Sequence, residues 1–125
     1  MSARGRILLI EDDPEAALFA IHVLANRGRF EVTHTADPAV ALRLAASERW
    51  DLVLTDLELP GMSGLELIDA LRRVAPAVPV AVVTAHADGA ALVSRADGCL
   101  TKPVRIDQLI ATASELIGRA RRTSQ

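Results

Sequence analysis

Short aliphatic runs alternate along the chain with stretches in which apolar residues return every three or four positions. RILLI at 6–10, DLVLTD at 51–56 and VAVVT at 80–84 are almost wholly aliphatic, as strands buried on both faces are. FEVTHT at 30–35 alternates apolar with polar and predicts a half-buried edge strand. After Pro14, the positions Ala17, Leu18, Ile21, Leu24 and Ala25 keep the helical period, and Asn26 to Gly28 supply a stop. Asp37 before Pro38 reads as a cap and first helical residue, with Ala41, Leu44 and Ala45 on one face. Leu67, Ile68, Leu71 and Ala75 predict a third helix after the loop LPGMSG at 59–64. A short helical segment near 88–96 leads to a fifth strand, GCLT at 98–101. Ile106, Leu109, Ile110, Ala113, Leu116 and Ile117 then mark one face of a last helix that should end near Gly118.

Five βα units in succession predict an α/β fold, a parallel sheet with helices on both faces. The chain of 125 residues fits one domain over 5–118, followed by a short basic tail, 119–125, with Arg119, Arg121 and Arg122. That tail reads as frayed, its cations suited to a helix C-terminus. Half of the residues are hydrophobic, but the aromatics are only Phe19, Phe30 and Trp50, so the core must be aliphatic. A net charge of −2 and a pI near 5.9 argue against direct nucleic-acid binding. A lone Cys99 rules out an internal disulfide framework and fits a reducing compartment. No apolar run approaches membrane-spanning length and MSARGR lacks an apolar signal core. The expectation is a cytoplasmic protein with no membrane association.

The polar residues that carry chemistry collect at strand ends, where open α/β sheets bind ligands. Strand 1 ends in Asp12 and Asp13, strand 3 in Asp56, strand 4 in Thr84 and strand 5 in Lys102. Carboxylates on adjacent strands about 4.8 Å apart can share one small ion. A lone Asp before a proline is usually a helix cap, and Asp13-Pro14 alone would read that way; the joint placement favours a shared site. Carboxylates without paired histidines or cysteines describe a hard-cation site, Mg²⁺ or alternatively Mn²⁺. Magnesium bound by few carboxylates and several waters commonly shares its remaining positions with phosphate. Asp56 is then the candidate nucleophile, able to accept a phosphoryl group as an acyl phosphate. Thr84 and Lys102 can hold phosphoryl oxygens as charge develops. Glu11 is the odd acid, expected to face solvent or a neighbouring cation.

With IEDDP, DLELPGMSG from Asp56 to Gly64, TAH at Thr84 and TKP ending at Pro103 in this order, the chain resembles a response-regulator receiver domain of two-component signalling. The resemblance implies a flavodoxin-like, doubly wound (βα)5 fold with strand order 2-1-3-4-5. It implies transfer of a phosphoryl group to Asp56 from a phosphohistidine on a sensor histidine kinase or a histidine phosphotransfer protein. Asp13 and Asp56 with the Glu58 carbonyl would bind Mg²⁺, Asp12 would help through water, and Thr84 and Lys102 would contact the phosphoryl group. The Lys102-Pro103 bond would be cis. Glu58 and His86 resemble rim residues that tune the lifetime of the phosphoryl group. The domain would switch contacts with a downstream protein, as a monomer or weak dimer, and would be a signalling phosphoacceptor rather than an enzyme.

Two features depart from the family pattern. The place of the switch aromatic that couples to Thr84 falls on Cys99, and the chain has no tyrosine. The stretch from Thr84 to Lys102 is about four residues short, roughly one helical turn, so the fourth helix should be shortened and the output atypical. An alternative is a receiver-like scaffold not regulated by phosphorylation. A haloacid dehalogenase-type hydrolase would place its nucleophile on the first strand and need a cap region, and a flavin carrier would need a Ser-, Thr- or Gly-rich loop where Glu11 to Asp13 stand.

Overall fold

The computed structural model describes residues 5–59, 61–85 and 95–123. Strands β1 (Arg6–Ile10), β2 (Glu31–Thr35), β3 (Leu52–Asp56), β4 (Val80–Thr84) and β5 (Gly98–Thr101) form one sheet in the order β2-β1-β3-β4-β5. Every neighbouring pair is parallel. The three aliphatic runs fill the centre, because only side chains apolar on both faces can be covered by helices twice. β2 is the edge strand that its alternation predicts, but it is more exposed than the half-buried pattern expected, with only Val32 and Thr35 partly covered.

The strand pleat sends alternate residues to opposite faces, and each face has its own core. Ile7, Leu9, Leu52, Leu54, Ala81 and Val83 pack against Val23, Leu24 and Phe30 and against Leu109, Ala113, Leu116 and Ile117 of α4 (Ile106–Thr123). Leu8, Ile10, Val53, Val80 and Val82 pack against Ala41 and Ala45 of α2 (Pro38–Ser47) and Leu67, Ile68 and Leu71 of α3 (Gly64–Val74). α1 (Pro14–His22) follows β1. The chain leaves β1 toward β2 on one side and reaches β3 on the other, so the crevice that such a reversal opens lies beyond the ends of β1 and β3.

Local chemistry sets the boundaries. The Asp13, Asp37 and Ser63 side chains cap α1, α2 and α3, and Ser63 with Glu66 forms a reciprocal capping box. α1 passes into a π-helical turn, Val23–Arg27, closed by the Gly28 N–H donating to the Val23 carbonyl at 3.0 Å. Glycine is needed there, since a Cβ would stand 2.7 Å from the Phe30 ring. In the loop after β3, Gly61 takes a φ of +82°, a conformation that favours glycine.

Two expectations shift. Phe30 precedes β2 rather than opening it, and its ring is buried against Val23 and Leu24. The last helix runs on to Thr123 instead of ending near Gly118. A helical glycine costs only about 1 kcal/mol, and the Arg119–Glu115 pair at 2.9 Å spans the position. Of the segment near 88–96, only Arg95 and Ala96 are among the described residues, where they form a turn into β5. Among the described residues, no helix is long and apolar enough to cross a membrane.

Candidate phosphoacceptor and cation site

The C-terminal ends of β1, β3, β4 and β5 bring the polar residues together. Asp56 closes β3 and is 4% exposed; Thr84 closes β4 and is 5% exposed. In the sheet register Val83 lies opposite Asp56, which puts Thr84 one step beyond it. Lys102 follows β5, and its N–H extends the ladder by donating to the Thr84 carbonyl at 2.8 Å. The Lys102-Pro103 peptide is cis.

The Asp56 carboxylate is held from both sides. The Glu58 N–H donates to Oδ1 at 2.9 Å, and Lys102 Nζ donates to Oδ2 at 2.9 Å. Lys102 also lies 3.5 Å from Glu11 Oε1. Glu11 is therefore the buried partner of this lysine rather than a solvent-facing residue. The Asp13 N–H donates to its other oxygen, Oε2, at 3.2 Å.

Three carboxylates cluster among the described residues: one oxygen each from Glu11, Asp12 and Asp56 lies within 4.8 Å of the others. Asp13, the acid expected to ligate directly, has a different task in the structure. Its Oδ1 accepts the Glu15 N–H at 3.1 Å, capping α1 ahead of Pro14. Asp followed by Pro at a helix start was the signal for this, and it leaves Glu11 and Asp12 as the acids that converge with Asp56.

The electrostatics follow from burial and from the excess of acids over cations among the described residues. Burial, together with hydrogen bonding to Asp56, pushes Glu11 up to about 7. Burial would raise Asp56 as well, but the Glu58 N–H, Glu11 and Lys102 together hold it below the usual carboxylate range. Burial works against the Lys102 ammonium, yet Asp56 and Glu11 raise its pKa above the ordinary value. Lys102 is thus held charged, while burial opposes the charge on Glu11. Oxygen donors alone fit a hard divalent cation such as Mg²⁺, and the buried excess of carboxylate is what such an ion relieves.

Beside the cluster, a cleft of about 370 Å³ lies between α1 and the start of α4, lined by Phe19, Ala20, Val104 and Leu109 as well as Asp56 and Lys102. Glu58 is exposed at the rim. Cys99 is half-buried beside Val82 against the α2/α3 core, and burial raises its thiol. His86 lies outside the described residues.

A family model described as response regulator receiver domain matches residues 7–114. The DNA-binding response regulator MtrA of Mycolicibacterium smegmatis is 38% identical over 112 residues, covering 86% of this chain and 48% of that protein. The transcriptional activator protein PfeR of Pseudomonas aeruginosa is 37% identical over 119 residues, 93% of this chain and 39% of that one. The chain thus spans less than half the length of either relative. Among solved structures, the receiver domain of a Pseudomonas aeruginosa sensor histidine kinase, with magnesium coordinated in its active-site cleft, superposes with a TM-score of 0.84. It shares 28% identity and the match covers 93% of this chain and 99% of that one. The Thermotoga maritima response regulator TrrA, in complex with Mg²⁺ and beryllofluoride, gives a TM-score of 0.80 at 27% identity, covering 89% and 97%.

Proposed function

The chain belongs to the response-regulator receiver domain family, and on that premise we propose that it is a phosphoacceptor switch with Asp56 as the acceptor. The supporting observation is the Asp56 carboxylate, buried, held below the usual carboxylate range and gripped by Lys102 at 2.9 Å. A buried carboxylate kept ionised stays nucleophilic, and the Lys102 ammonium offsets its charge without taking its electron pair. An Asp56 oxygen attacks the phosphorus of a phosphohistidine. The new P–O bond forms as the P–N bond breaks, and the electron pair returns to the imidazole nitrogen, which then takes up a proton. Lys102 and the Thr84 hydroxyl hold phosphoryl oxygens during transfer. The only chemistry assigned to the domain is its own phosphorylation and dephosphorylation.

We assign the cation to Glu11, Asp12 and Asp56 with the Glu58 carbonyl, in place of the expected set built on Asp13. Mg²⁺, or Mn²⁺ on the same oxygens, supplies electrophilic neutralisation of the phosphoryl oxygens when bound. The phosphoryl donor is a sensor histidine kinase or histidine phosphotransfer protein, and the output is a change in contacts with a downstream protein. With Cys99 at the place where the family resemblance leads one to expect an aromatic, the partner of Thr84 in that change is small, and the output departs from an aromatic switch. Glu58 and His86 modulate the lifetime of the phosphoryl group, which makes faster or slower decay in His86→Ala the check on the latter.

The experiment is Mg²⁺-dependent labelling by acetyl phosphate. Wild type should label and Asp56→Asn should not; undiminished labelling of Asp56→Asn would overturn the assignment. Addition of Mg²⁺ and beryllofluoride should shift resonances of β4, β5 and α4, whereas an unchanged spectrum would favour the scaffold reading.

A further inference from the structure

The edge strand β2 runs beside the end of β1 that carries the acidic cluster. Their ladder is regular up to its last rung: the Glu31 N–H donates to the Gly5 carbonyl at 2.9 Å, and the Glu11 N–H to the Thr35 carbonyl at 3.1 Å. A parallel ladder continues at even spacing, so the next bond would run from the Asp37 N–H to the Glu11 carbonyl. Instead the Asp37 N–H turns back to Thr35 Oγ1 at 3.1 Å, and the Asp37 carboxylate caps α2 through the Ala39 N–H at 2.9 Å. The start of α2 thereby ends the ladder one bond early and leaves the carbonyl of a buried residue to find another donor.

His34 supplies it. Its Nε2 lies 2.8 Å from the Glu11 carbonyl. A carbonyl oxygen only accepts, so Nε2 carries the proton. The bonded oxygen belongs to the peptide that joins Glu11 to Asp12, from which two of the three clustered carboxylates hang. His34 itself is exposed on the edge strand and adds little to either core.

We propose that His34 is a positioning residue for the cation site: by holding the Glu11 carbonyl it orients the Glu11–Asp12 peptide so that both side chains converge on Asp56. The inference rests on the cation reading of that cluster. Groups that orient ligands from outside the coordination sphere typically change metal affinity by about 10- to 100-fold.

Calorimetric titration of the full chain with MgCl₂ tests it. His34→Ala should bind Mg²⁺ about tenfold more weakly than wild type. His34→Gln, which keeps a side-chain N–H at similar reach, should recover most of the loss. At saturating Mg²⁺, acetyl phosphate labelling of His34→Ala should equal that of wild type, because His34 touches neither Asp56 nor Lys102. Unchanged affinity in His34→Ala, or His34→Gln no better than His34→Ala, overturns the proposal; so does labelling that stays low at saturating Mg²⁺. Wild type that fails to bind Mg²⁺ overturns the cation reading itself, a result distinct from a silent His34.

Discussion

Both ends of the sheet are charged, but they balance their charge in different ways. At the N-terminal ends of the strands, arginines pair with acids near solvent: Arg6 with Glu48 at 2.9 Å, Arg72 with Asp97 at 3.1 Å and Arg121 with Asp51 at 3.6 Å. Exposed pairs of this kind are worth about 0–1 kcal/mol each. Arg6 also lies over the Trp50 ring, 4.4 Å from its centroid, and the Trp50 indole N–H donates to the Leu44 carbonyl at 2.8 Å. At the C-terminal ends, Glu11 and Asp56 are buried around the single ammonium of Lys102, with Asp12 added to the cluster. A balanced surface asks for nothing more. Among the described residues this buried cluster is short of positive charge; such a cluster holds a proton or takes a cation, and the imbalance separates the two ends of the sheet.

Substituting the lysine should separate the two ends most sharply. Lys102→Met is expected to lower acetyl phosphate labelling by about a hundredfold or more, read as initial rate at saturating Mg²⁺. Arg6→Ala should label at the wild-type rate; equal losses in both variants would erase the contrast.

Next in size is the pH dependence of stability without divalent cations. Glu11 titrates at 4.5 when unfolded and about 7 in the fold, so between those values the folded chain keeps a proton that the unfolded chain releases. Stability in EDTA should therefore fall as pH rises from 4.5 to 7 and level off above, by about 3 kcal/mol in total. Asp56 acts in the opposite sense, and the stability it contributes is lost as pH falls below its unfolded 3.8. Urea melts across this range should show the decline in wild type and little of it in Glu11→Gln. A cation held by Glu11 as proposed would displace its proton, so Mg²⁺ affinity should also rise with pH up to about 7.

Smaller effects are expected at the other end. Arg6→Ala loses its ion pair and its place over Trp50, which should lower stability by about 1 kcal/mol in urea melts. Gly118→Ala should raise stability by about 0.5–1 kcal/mol, since residue 118 is helical and an added Cβ meets only the Arg122 guanidinium at 3.4 Å. A destabilised Gly118→Ala would mean that the helix ends there after all.

The parts legible in the sequence are those whose signals are local. The aliphatic runs at 6–10, 51–56 and 80–84 placed the central strands, and their C-terminal residues led directly to Asp56 and Thr84. Three consecutive acids do not by themselves say which of them turn inward; the signal is the proline that follows them. That is decided where β1 ends and α1 begins, with Pro14 drawing Asp13 into the cap and leaving Glu11 beside Lys102. Gly118 looks like a stop, but the helix continues past it, where Arg119 meets Glu115 and Arg121 reaches Asp51, contacts that a local reading of the sequence does not show. The bond from His34 was out of reach for another reason: it exists only because β2 lies in one particular register against β1.

The most direct test is to locate the phosphoryl group itself. Wild-type protein treated with acetyl phosphate and Mg²⁺ can be reduced with borohydride, which converts an aspartyl phosphate to homoserine, and then mapped by peptide mass spectrometry. Homoserine at position 56, absent when Mg²⁺ is withheld, is the expected result. Homoserine at another aspartate, or none at any position, would contradict the assignment of Asp56 as the phosphoacceptor.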